Sequence, residues 1–252
     1  LPEHDLDLLI QAARRAGDVA MGYFRKEFDV WDKPGEGPVT AADIAVNDLL
    51  EDILRSARPD YGWMSEESPV DAAPRDVSFI VDPIDGTRAF IDGTSAFSHA
   101  LAVVENGQPV AAVVFLPAQD KLYLASTGAG ATLNGAPIRA SSRSRQLLAT
   151  KKTMVPEHWP GGVPEARRSF RPSLAYRMCL VAEGRFDAMV TFRPAWEWDI
   201  VAGTLIAQEA GALVTDAKGA DMTFNAGARK QDGCVAAAAD VHGELMARAG
   251  AA

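Results

Sequence analysis

The run Ser78-Phe79-Ile80-Val81 leads without a break into Asp82-Pro83-Ile84-Asp85-Gly86-Thr87. The first four residues are apolar and β-branched enough to predict a buried strand. Ending such a strand in two carboxylates leaves a chain few options. A buried carboxylate without a partner is costly, and two placed close together repel. Either the strand ends in a surface turn, where Asp, Pro and Gly are common, or the acids face a cleft and bind something there.

The 252 residues are 48% hydrophobic and 23% charged, enough for one large domain or two smaller ones sharing a cleft. The net charge of −9 argues against a nucleic-acid partner. It is compatible with a small anionic substrate, because bound cations reverse the local charge. Cys179 and Cys234 are too few for a disulfide framework or a cysteine-built zinc site. Cys179, within Met178-Cys179-Leu180-Val181, reads as a small core residue. The opening LPEHDLDLL does not resemble a signal peptide. No apolar stretch is long enough to span a membrane, so a cytoplasmic protein is expected.

Leu6, Leu9, Ala13, Ala16, Ala20 and Phe24 predict an amphipathic helix over 5–28, followed by a Gly/Pro-rich loop, KPGEGPV. Thr40 is placed to N-cap a second helix, with Asp43 in its electropositive first turn. Its apolar face is read as Ile44, Leu49, Leu50, Ile53 and Leu54, and its end falls near Arg58-Pro59. Strands are expected at YGWMSE, SFIVD, KLYLAS and GATLNGAPI, with a hairpin about Asn106-Gly107.

The stretch 141–171 is polar, basic and poorly patterned, and its run around Arg167, Arg168 and Arg171 reads as a solvated loop. A domain boundary is placed at its start, giving an α+β domain over 1–142 and an α/β domain over 143–252. In the second half SLAYRMCLVAEG predicts a helix with Gly184 at its end, and WDIVAGTLIAQEAG one closed by Gly211. FDAMVTF, ALVTD and CVAAAAD read as strands, and VHGELMARA as a last helix.

The acids fall at element ends. Glu66 and Glu67 close one strand, Asp82 and Asp85 close another, and Asp43 and Asp199 open helices. Nothing in the sequence identifies a group that would neutralise them if they converged. The four histidines, His4, His99, His158 and His242, show no metal-ligand spacing. Oxygen-only ligands suit Mg²⁺, a hard cation that works with phosphates. Such an ion polarises a phosphoryl oxygen and activates water. Gly86-Thr87 can begin a helical turn whose free N–H groups hold a phosphate. The Thr87 hydroxyl can pass a proton toward Asp43.

Glu66-Glu67-Ser68, Asp82-Pro83-Ile84-Asp85-Gly86-Thr87 and Trp198-Asp199 with Val201-Ala202-Gly203 resemble the three motifs of the inositol monophosphatase superfamily. The resemblance runs from about Asp5 to the final helix. It implies an α/β (α+β) fold, a layered αβαβα sandwich, and a lithium-sensitive, magnesium-dependent phosphomonoesterase. By that resemblance Glu66, Asp82 and the Ile84 carbonyl hold one Mg²⁺, and Asp82, Asp85 and Asp199 a second, with a third ion left open. Thr87 with Asp43 orients the attacking water, Glu66 sharing the catalytic site, and the backbone of Gly86 and Thr87 holds the phosphate. Li⁺ is the expected inhibitor.

PVTAADIA, SEES and GTRAFI resemble the bacterial 3'(2'),5'-bisphosphate nucleotidases more than the inositol phosphatases. The stretch Val190-Thr191-Phe192-Arg193 has no acid where the inositol enzymes usually place a glutamate. The expected substrate is therefore adenosine 3',5'-bisphosphate, losing its 3'-phosphate, with Arg88 or Arg193 meeting the second phosphate and Trp196 near the base. The alternatives are an inositol-1-phosphate phosphatase, and a non-catalytic binding or regulatory subunit that keeps the fold. A haloacid-dehalogenase-type site needs one residue between its aspartates, and here Pro83 and Ile84 intervene. The partner is a small phosphorylated metabolite, and the chain is expected to be a monomer or a homodimer.

Overall fold

The computed structural model describes residues 2–33, 37–69, 75–143 and 145–250. Helix α1 (Pro2–Tyr23) stops short of residue 28, but Phe24 still packs inward against Phe90 and Phe97. Strands β1 (Val30–Lys33) and β2 (Gly37–Thr40) pair antiparallel. Lys33 and 37–39 of the stretch read as a loop therefore lie in strands, and 34–36 lie outside the described residues.

Helix α2 (Ala41–Ala57) starts where the sequence indicates. The Thr40 hydroxyl accepts from the N–H groups of Ala42 and Asp43, and the Asp43 carboxylate accepts from the Thr40 N–H. The helix ends at Arg58. Its buried stripe runs Ala42, Val46, Leu50, Leu54 at four-residue spacing. Ile44 lies two positions out of that row and is exposed, contrary to its reading as part of the apolar face.

The first sheet is built from β3 (Gly62–Ser65), β4 (Val77–Asp85), β5 (Ser98–Glu105), β6 (Gln108–Leu116), β7 (Lys121–Ser126), β8 (Ala131–Leu133) and β9 (Ala136–Pro137), in that spatial order. Only β3 and β4 are parallel. The short helix α3 (Thr87–Ile91) leaves the end of β4. GATLNGAPI supplies two short strands, β8 and β9, turning at Asn134-Gly135.

The second sheet has the order β11-β10-β12-β16-β14. Its strands are β10 (Gln146–Leu148) and β11 (Arg167–Ser169), then, after α4 (Leu174–Ala182), β12 (Ala188–Thr191). A two-stranded ribbon joins β13 (Ala195–Trp196), which precedes α5 (Glu197–Glu209), to a later segment. The chain continues through β14 (Ala212–Thr215), that ribbon partner β15 (Lys230–Gln231), β16 (Cys234–Ala238) and α6 (Ala239–Ala249). The stretch 141–171 thus contributes two strands. Arg167 and Arg168 lie in strand β11 rather than in a solvated loop, and Arg168 Nη1 donates to the Ala149 carbonyl. At three residues each, β10 and β11 are too short to show a period.

Strand alternation separates the layers. Phe79, Val81, Leu101 and Val103 pack under α1 and α2. Ile80, Ala100, Ala102 and Val104 face the other way, onto α4 and α5. Met189 and Ala236 of the second sheet close on the same two helices, while Ala188, Val190, Val235 and Ala237 face α6. The result is the expected αβαβα sandwich. Helices α4 and α5 pack closely at Gly203, where a Cβ would lie 2.8 Å from Met178. No helix among the described residues is long and apolar enough to cross a membrane.

Candidate active site

In a regular strand Asp82 and Asp85, three apart, would point to opposite faces. Asp82 pairs with Ala100 and Asp85 with Ser98, so Pro83 and Ile84 together oppose the single residue His99. This bulge changes the phase of the strand and brings both carboxylates to one side. His99 is fully buried, and its Nδ1 lies 2.5 Å from the Pro83 carbonyl oxygen. A carbonyl only accepts, so Nδ1 carries the proton. Burial pushes the His99 pKa down to about 4, so the ring is neutral, and its buried Nε2 has no partner.

Asp85 is held from the second half of the chain. Its carboxylate accepts from the Ser173 hydroxyl at 2.6 Å, the Ala175 N–H at 2.7 Å and the Leu174 N–H at 3.3 Å, the N-terminus of α4. Asp199 sits in the first turn of α5. One carboxylate oxygen from each of Asp82, Asp85 and Asp199 lies within 4.8 Å of the others. Burial, followed by mutual repulsion, raises the pKa of Asp82 and of Asp199 well above the carboxylate range. Asp85 rises only to about 6, because its hydrogen bonds offset burial. The buried Asp82 Oδ1 has no hydrogen-bond partner among the described residues.

Glu66 lines the same cleft from the end of β3, and burial and neighbouring acids raise its pKa to about 7. Its turn is tied to α2, where Asn47 accepts from the Ser65 hydroxyl and donates to the Ser68 hydroxyl. The sequence offers no neutralising group; the structure supplies one for the glutamates, while Asp82, Asp85 and Asp199 have no ion pair among the described residues. Lys33 Nζ lies 2.8 Å from Glu67 and 3.5 Å from Glu66. Burial lowers the Lys33 pKa, but the Glu67 hydrogen bond and the two charges outweigh it and keep the ammonium charged.

Asp43 stands behind Thr87. Its Oδ2 is held by the Thr40 hydroxyl and N–H, and its Oδ1 lies 3.2 Å from the Thr87 hydroxyl. Burial raises its pKa to about 6. The Thr87 hydroxyl also lies 3.2 Å from the Ile84 carbonyl oxygen. Gly86 caps α3 with φ +99°, and a Cβ there would sit 3.1 Å from the Ala96 carbonyl. The cleft, about 920 Å³, is lined by Asp82, Ile84, Asp85, Gly86, Thr87 and Asp199 among others. Arg88, Arg193, Trp196 and Lys230 border it.

Sequence reasoning misses His99, Ser173 and Lys33, because each acts through a contact across long sequence separation, which no local pattern carries. The one available signal was the buried-strand setting of His99, a polar residue within SHALAVV.

The profile of the inositol monophosphatase family matches residues 2–251. Over 230 residues the chain is 32% identical to the 3'(2'),5'-bisphosphate nucleotidase CysQ of Escherichia coli K12, covering 87% of this chain and 93% of that protein. It is 34% identical over 247 residues to an inositol-1-monophosphatase of Rhizobium meliloti, covering 88% and 89%. The solved IMPase of Thermotoga maritima superposes with a TM-score of 0.85 at 29% identity, covering 98% of this chain and 97% of that one. The chain belongs to the inositol monophosphatase family. It is a phosphoric monoester hydrolase, and magnesium dependence is general in this family.

Proposed function

We propose that the protein removes the 3'-phosphate of adenosine 3',5'-bisphosphate. The observation that carries this reading is a pair of arginines beside the carboxylates. Arg88 and Arg193 are both exposed in the cleft, and neither makes a hydrogen bond or ion pair with any described residue. They can meet a second phosphate. The relative named as a bisphosphate nucleotidase supports the same substrate.

The donor set fits Mg²⁺: it is all oxygen, crowded and buried, and the Asp82 Oδ1 is orphaned. Glu66, Asp82 and the Ile84 carbonyl would hold one ion, and Asp82, Asp85 and Asp199 a second. When bound, the metal supplies charge neutralisation and polarises the phosphoryl group. Asp43 is held through Oδ2, leaving Oδ1 to take the Thr87 proton. Thr87 can then accept a proton from an attacking water. Its tie to the Ile84 carbonyl must be released for this, because the hydroxyl has one proton to give. Gly86 and Thr87, which open α3, line the cleft, and their N–H groups would hold the phosphate. Two buried thiols without a disulfide support a reducing, cytoplasmic setting.

The test is phosphate release in Mg²⁺ with adenosine 3',5'-bisphosphate and inositol 1-phosphate in parallel, repeated with Li⁺. Preference for the nucleotide, reduced by Arg88→Ala and by Arg193→Ala, supports the reading. Preference for inositol 1-phosphate overturns the substrate.

A further inference from the structure

Among the described residues, Trp196 borders the main cleft and Phe170 a lobe that opens from it. Trp196 is already engaged. The Trp198 ring stacks on it at 4.6 Å and 13°, and Lys230 Nζ lies 3.6 Å from its centroid. A stacked ring leaves no room for an ammonium on its own side, so the two cover opposite faces. Trp196 lines the cleft, where it is expected near the base, but both of its faces are occupied.

Phe170 is the reverse case. It is 46% exposed, one of few large apolar side chains that are. It lines a second lobe of about 480 Å³, which shares Glu66, Gly86, Thr87, Arg88 and Arg193 with the main cleft. The Arg177 guanidinium backs the ring at 4.5 Å from its centroid. Arg177 is itself buried, and it grips the loop that carries Phe170. Its Nε donates to the Arg171 carbonyl and its Nη2 to the Pro172 carbonyl. The ring is thus fixed on one side, and no other ring or cation lies against it among the described residues.

We infer that Phe170, backed by Arg177, is the stacking platform for the base of the nucleotide substrate, with Arg88 and Arg193 lining both its lobe and the carboxylate cleft. This rests on the bisphosphonucleotide reading above. A planar base gains from a rigid ring far more than a cyclitol does, because stacking needs two flat π faces. Phe170 would therefore set specificity without touching the reacting phosphate.

The experiment compares kcat/KM for adenosine 3',5'-bisphosphate with that for ribose 3,5-bisphosphate, which has both phosphates and no base. Phe170→Leu keeps apolar volume but has no π face. It is expected to lower the ratio about tenfold, through KM for the nucleotide rather than kcat. Phe170→Trp is expected to restore it. An unchanged ratio in Phe170→Leu, in a wild type that prefers the nucleotide, overturns the platform while leaving the substrate intact. A wild type that rejects the nucleotide for inositol 1-phosphate overturns the substrate reading and the platform together.

Discussion

The imidazole of His99 and the carbonyl of Pro83 form a hydrogen bond at the one place where β4 departs from regular pairing. One buried residue faces two, and its Nδ1–H takes the carbonyl that the bulge would otherwise leave unpaired. Pro83 has no N–H to lose there. The bond fixes the phase shift that puts Asp82 and Asp85 on the same side. His99→Phe fills the apolar space between Phe97 and Phe115 but cannot donate. The expected result is a fall in kcat on the order of ten- to a hundredfold, with a higher Mg²⁺ concentration needed for half-maximal rate and little loss of melting temperature. His99→Asn, which can donate, should recover part of the activity. Steady-state kinetics against Mg²⁺ concentration, with thermal melting, checks this.

Asp43→Asn removes the proton acceptor behind Thr87 while keeping an oxygen able to complete the capping box with Thr40. The fold should survive, and kcat should fall about 10²- to 10⁴-fold with KM nearly unchanged. Single-substrate kinetics and a melting curve together separate this from simple destabilisation.

The metal-free protein should lose stability as pH rises. Asp43 and Asp85 titrate at about 6 and Glu66 at about 7 in the fold, with Asp82 and Asp199 also raised. Unfolded carboxyls release their protons near pH 4. Between about pH 4 and 7 the native state therefore binds more protons than the unfolded chain, so stability falls through that window. His99 acts oppositely, since its depressed pKa adds stability between about pH 4 and 6.5, but it is one group against several. Melting in EDTA should fall over this range. Mg²⁺ at about 100 times its Kd should add about 2.7 kcal/mol near neutral pH.

Gly86→Ala places a Cβ 3.1 Å from the Ala96 carbonyl in a residue with φ +99°. The expected cost is about 1–3 kcal/mol, together with a raised KM, because the N–H groups opening α3 turn with it. Denaturant unfolding and kinetics on the same preparation check both parts.

The sequence by itself determined the elements whose signals are local. Apolar spacing placed α1 and α2, Thr40 and Asp43 spelled out a capping box, and Asn106-Gly107 marked a hairpin. These are readable because each depends on neighbours within a few residues. It also marked the acidic motifs, since each lies within a few residues at the end of a strand or helix. The tertiary structure decided what those acids meet. Asp85 reaches Ser173 and the start of α4 across about ninety residues, and Lys33 reaches Glu66 and Glu67 from a stretch that read as loop. It also decided that the Trp196 faces are taken by Trp198 and Lys230 while Phe170 is exposed, and that β10 and β11 exist at all. Such facts arise from packing between distant segments, where contact is set by the geometry of the layers and leaves no period in the chain.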